Sequence, residues 1–237
     1  MRIETGLLTK YLTKVNINST VRTINMNFKD TGVTTEVSNV DNTAMVLGIL
    51  KSESFTEYTP IGEIFIKDSA MLVAALKTFS GEVEIAKVGD NILKLFNGSR
   101  EVNIMLAEEK ICPNLFRDKR PDIKPTTFVV ADKSLLNLTL NDMKLLNVGS
   151  VTFTKVGKEL TISIGNENEH DFIKNVLVCE EEGDAVVSVA AYFKEAVSSM
   201  SDEVTLHLGT DMPVIIDDKT EFIETETFLS PLIKFED

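Results

Sequence analysis

Residues 150–164, SVTFTKVGKELTISI, alternate apolar and polar side chains on either side of Gly157, and residues 82–96, EVEIAKVGDNILKLF, do the same around Gly89. Period-two alternation interrupted by a glycine turn predicts a β-hairpin in each stretch. Each is preceded by a helix-period segment. Leu72, Ala75, Leu76 and Phe79 share one face behind Asp68, and Leu136, Leu140 and Met143 share one face behind Asp132. An aspartate just before such a face is a helix N-cap signal.

The same helix-then-hairpin unit recurs at both ends of the chain. Val189, Phe193, Ala196, Val197 and Met200 give a face that leads into EVTLHLGTDMPVII, with its turn at Gly209. Leu8, Tyr11, Leu12 and Val15 lead into VRTINMNFKDTGVTTEV, with its turn near Gly32. Four units at a spacing of about sixty residues are an internal repeat. Further alternating stretches, NTAMVLGIL from Asn42, EVNIMLAEE from Glu101, HDFIKNVLV from His170 and TEFIETETFL from Thr220, read as strands. The expected class is α+β, as two similar domains at 1–111 and 127–237. The connector at 112–126 contains Pro113, Pro121 and Pro125, which prevent a regular element.

The 237 residues, 43% of them hydrophobic, suffice for two cores. No apolar run approaches the ~20 residues of a membrane span and the N-terminus lacks a signal-peptide layout, so a cytosolic, nucleoid or nuclear location is expected. Cys112 and Cys179 lack CxxC spacing, and His170 and His207 lack metal-ligand neighbours. The glycines sit in hairpin turns rather than between strand and helix, so they form no phosphate loop. No catalytic residue, metal or cofactor is expected; the competing enzyme reading is a hydrolase using Cys112 or Cys179. The acidic run Glu180–Asp184 reads as a solvated loop.

A net charge of −13 argues against polyanion binding until its distribution is considered. Helices taken as 6–16, 69–80, 133–147 and 190–200 hold Lys10, Lys14, Lys77, Lys133, Lys144 and Lys194 against Asp142 and Glu195. Of the 24 basic and 37 acidic residues, 18 and 35 therefore lie elsewhere. One positive surface on an acidic remainder suits a protein that meets DNA on that surface alone. No aromatic residue is expected among these lysines, and no Arg or Asn set suggests base readout, which leaves sequence-independent phosphate contact.

Three segments, GVTTEVSNVDNTAMVLGIL (32–50), GTDMPVIID around Pro213 and TFLSPLI (227–233), resemble in order and spacing the proliferating-cell-nuclear-antigen family of DNA sliding clamps. The resemblance implies helices lining a channel, sheets outside, and a homotrimeric ring in which the strand near Val102–Glu108 pairs with that near Asp171–Cys179 of the next copy. It implies double-stranded DNA, a clamp loader, and polymerases and other proteins bearing a clamp-binding peptide as partners. The peptide groove would use Val40, Met45, Leu47, Pro213, Phe228, Ser230 and Pro231, covered by Ile123 or by Leu115 and Phe116, with Ile123 fitting the spacing better. Arg117, Lys119 and Arg120 depart from the family's acidic or apolar connector, and Val102–Met105 lacks a lysine often present there. A hetero-ring paralogue or a monomeric viral processivity factor is the alternative assembly.

Overall fold

The computed structural model describes residues 1–111, 122–165, 171–190 and 192–232. These fall into two compact units, within Met1–Lys119 plus Thr220–Thr225 and within Arg120–Lys219 plus Glu226–Asp237. The first contains β1 (Arg2–Glu4), α1 (Thr5–Val15), β2 (Ile24–Lys29), β3 (Gly32–Ser38), β4 (Ala44–Lys51), β5 (Phe55–Glu57), β6 (Gly62–Ile66), α2 (Ser69–Leu76), β7 (Glu82–Val88), β8 (Ile92–Asn97) and β9 (Arg100–Met105). The second contains β10 (Thr127–Asp132), α3 (Lys133–Leu145), β11 (Val151–Val156), β12 (Glu159–Gly165), β13 (Phe172–Val178), β14 (Ala185–Val189), α4 (Phe193–Ser198), β15 (Glu203–Leu208) and β16 (Val214–Lys219). A last strand, β17 (Ile223–Leu229), closes the described chain.

Within both units the strands pair antiparallel, and the class is α+β as expected. In the first unit the sheet order is β5-β1-β7-β8-β9, beside a run β6-β2-β3-β4. In the second it is β13-β12-β11-β14, beside β10-β15-β16. Both hairpins that anchor the sequence reading form. Val156 faces Glu159 across a two-residue turn whose Gly157 has φ 56, a conformation open to glycine at little cost. Val88 faces Ile92 across Gly89-Asp90-Asn91.

Both aspartate caps form as well: Asp68 Oδ1 accepts the Met71 N–H at 2.9 Å and Asp132 Oδ1 accepts that of Leu135 at 2.8 Å. The first unit buries Tyr11, Leu12 and Val15 of α1 with Leu72 and Leu76 of α2. Tyr11 hydroxyl donates to Thr35 Oγ1 at 2.8 Å, which satisfies its one polar atom inside the core. Burial pushes the phenol pKa upward, so it stays protonated. Gly32 opens β3 at φ 128, where a Cβ would stand 2.2 Å from the Leu50 carbonyl oxygen. The hairpin turn itself is Asp30-Thr31, and the glycine serves close strand approach.

The second unit is centred on Phe153 and Phe193, whose ring centroids lie 5.8 Å apart at 60°. Helix α3 is tied to β13 by Asn175 Nδ2 donating to Asp142 Oδ2 at 2.8 Å. The fourth helix begins at Phe193 rather than 190, because Tyr192 takes a left-handed backbone, φ 62, that a helix cannot continue through. In the fourth hairpin the left-handed residue is Asp211 (φ 55), while Gly209 leaves room for the Met212 sulfur. No described helix is long and apolar enough to cross a membrane.

Candidate functional site

Five of the six helix lysines are exposed: Lys10 in α1, Lys77 directly after α2, Lys133 and Lys144 in α3, and Lys194 in α4. Lys14 is not. Its side chain is 1% exposed, on the Tyr11 side of α1, so the expectation that it meets phosphate is corrected. A lysine's four-carbon stem is apolar enough to pack in this way when its head finds a partner, and Lys14 has one. Lys133 is partly engaged, with its ammonium 3.4 Å from the Met200 carbonyl oxygen and 3.8 Å from Asp202 Oδ1. Lys155, on β11, is also fully buried, donating to the carbonyls of Gly157 and Glu181 at 2.8 and 2.5 Å. The acidic run therefore has exposed side chains but a tethered backbone. Asp184 adds its carboxylate to the Gly157 N–H at 2.9 Å.

The groove candidates fall in both units. In the first, Val40 is 90% exposed at the loop before β4, Met45 is 5% exposed within β4, and Leu47 is half-buried on the same strand. In the second, Ile123, Pro213, Ser230 and Pro231 are half-buried and Phe228 is 5% exposed. Pro231 bridges Val189 of β14, and Leu232 N–H donates to the Ser188 carbonyl at 2.7 Å. The turn after β15 reaches the same strand, with Asp211 N–H donating to the Val186 carbonyl at 3.2 Å and Val186 N–H donating to Thr210 Oγ1 at 3.2 Å. The alternatives Leu115 and Phe116, with Arg117, Lys119, Arg120, Cys112 and His170, lie outside the described residues.

Two strand edges carry apolar side chains into solvent. β9 ends its sheet, with Met105 78% exposed. β13 ends the other, with Val176 at 52% and Val178 at 87%. On α3, Leu138 and Leu145 are also exposed, one turn to either side of the Asp142 that binds β13. Sequence reading missed this second apolar stripe, although its seven-residue spacing is legible. It also missed Tyr192, which lines a cleft with Lys144 and Lys194, so an aromatic does sit among the lysines.

Along nearly its whole length the chain superposes on solved clamp structures. That of the C-terminal region of FEN-1 bound to A. fulgidus PCNA aligns with a TM-score of 0.85 at 21% identity, over 99% of this chain and 98% of that one. The fold is that of a sliding clamp. Proliferating cellular nuclear antigen from Entamoeba histolytica gives 0.81 at 18% identity over 98% of both chains. PCNA from Thermococcus kodakaraensis gives 0.81 at 16%, over 98% of this chain and 99% of that one. No protein-family model and no curated protein matches the sequence, so the clamp likeness is carried by backbone geometry.

Proposed function

We propose that the chain is the subunit of a DNA sliding clamp, a processivity factor that closes as a homotrimeric ring around duplex DNA. It tethers polymerases and other clamp-binding proteins by a short peptide, is opened by a clamp loader, and has no catalytic role of its own. Its domains are 1–111 and 127–237, joined by the connector 112–126. The observation that carries this reading is the match at TM-score 0.85 over 99% of the chain and 98% of its counterpart.

The two open edges support the assembly. A long unpaired strand with exposed valines is a pairing liability unless another chain covers it. β9 and β13 are different edges on different units, so their pairing between copies is head-to-tail, the kind of contact that forms a ring when the rotation between copies closes. On DNA, Lys10, Lys77, Lys133, Lys144 and Lys194 supply weak phosphate contacts that permit sliding, and retention is topological. Partner peptides dock through Val40, Met45 and Leu47 of the first unit and through Ile123, Pro213, Phe228, Ser230 and Pro231 of the second, with a few anchors giving the affinity.

Native mass and retention on a nicked circle test the reading together. Three equal copies per particle, salt-tolerant retention on the circle and rapid loss after linearisation are expected. Release from the circle as fast as from the linear fragment overturns it, and a single-copy or mixed-subunit mass replaces the homotrimer.

A further inference from the structure

Between the C-terminal turn of α3 and the start of α4, wholly within the second unit, lies a cleft of about 690 Å³. That volume is within the range of small-ligand sites. Lys144 and Lys194 line it together with Asn141, Asn147 and Tyr192.

The backbone at Tyr192 is unusual, with φ 62 and ψ 2. A bulky L-residue in the left-handed region is disfavoured, and such residues gather at ligand sites, where the surroundings hold them. Here the conformation stands at the N-cap of α4. Asn147, on the α3 side of the cleft, is also left-handed at φ 53, as asparagine tolerates.

The lining has three kinds of chemistry. Two ammonium groups attract a phosphate, the phenol ring offers a stacking face, and the amides can bond a base edge. Glu195 also lines the cleft; it disfavours a second anion and can accept from a base amino group. Inorganic phosphate would use the lysines alone. A paired duplex keeps its bases inside and presents no base face to Tyr192. An unpaired nucleotide uses all three.

We propose that the α3–α4 cleft binds one unpaired nucleotide of a DNA strand, its base against Tyr192 and its phosphate between Lys144 and Lys194. This rests on the DNA-clamp reading above and adds to it a hold on strands with unpaired residues.

The chain has no tryptophan and three tyrosines, of which Tyr11 is fully buried and Tyr58 lies in the first unit. Tyrosine emission is the sum of all three, so the part of the signal lost in Tyr192→Phe reports Tyr192. Titration with oligo-deoxythymidine should quench it saturably, and anisotropy of the labelled oligonucleotide should give the affinity. Tyr192→Phe should bind like the wild type and Tyr192→Leu about tenfold more weakly. The Lys144→Ala/Lys194→Ala pair should bind more weakly with a flatter salt dependence. Equal binding by wild type and Tyr192→Leu overturns the proposal. So does displacement by inorganic phosphate as effective as by a mononucleotide, which would indicate a simple anion site. Retention of Tyr192→Leu on a fully paired circle should match the wild type. If wild-type retention on the circle fails while Tyr192-dependent oligonucleotide binding persists, the clamp reading falls and the cleft assignment stands.

Discussion

Asp132 accepts the N–H of Leu135 at 2.8 Å, and Asp68 makes the same contact to Met71 at 2.9 Å, so the second helix of one unit and the first helix of the other start in the same way. Helices α1 and α4 have no side-chain cap: Glu4 and Tyr192 stand at those positions without such a bond.

Asp68→Ala should cost about 1 kcal/mol in urea unfolding. Asp132→Ala should shift the midpoint in the same direction.

Acid should expose the second cap. The Leu135 N–H, followed by the Ser134 hydroxyl, holds the Asp132 carboxyl below its usual range. A lowered folded pKa gives stability that is complete above the unfolded value of about 3.9 and is lost as pH falls through the folded one. Glu101, lowered by Lys94 and then Asn103, acts in the same window. Asp132→Asn should flatten the stability profile below about pH 4, as read by urea midpoints across that range.

Lysine variants separate charge from packing. Lys10→Ala and Lys77→Ala should each lower the salt slope of DNA binding by about one. Lys14→Met should leave that slope unchanged and move the melting temperature instead, because Lys14 has no exposed surface to lose.

The two most buried groove candidates need a different control from the exposed one. Met45→Ala and Phe228→Ala should destabilise by roughly 2–5 kcal/mol as core truncations. Val40→Glu, at a 90% exposed position, should weaken titration by a polymerase-tail peptide with melting unchanged.

Val178→Asp places a charge on an 87% exposed edge position. The proposed ring should dissociate to single subunits by native mass, with the far-ultraviolet spectrum retained.

Long regular elements were legible in the sequence, and short or strained ones were not. The strands of 82–96 and 150–164 show their alternation over six or seven residues each, whereas Arg2–Glu4 and Phe55–Glu57 offer three, too few for a period. Lys14 lies three residues after Tyr11 and so shares its helix face, but its charge argued for the outside, and the burial of its stem depends on tertiary packing. The sequence pattern places Tyr192 inside a helix from 190 to 200, whereas α4 spans Phe193–Ser198. No local signal marks a tyrosine for left-handed backbone, and that one torsion shortens the helix, while Tyr192 lines the same cleft as Lys144 and Lys194. The groove residues follow from the family resemblance alone, and their individual burial separates core members such as Met45 and Phe228 from surface ones such as Val40.

The contact of Pro231 with Val189 has a consequence for aggregation. With Leu232, Thr210 and Asp211 also bonded along β14, that side of the β13-β12-β11-β14 sheet is occupied within its own chain. Growth of this sheet by strand addition is therefore directional: a neighbour can extend it at β13 and not at β14. A sheet open at one end cannot propagate through itself into a cross-β stack, so the exposed valines invite one partner strand and then stop.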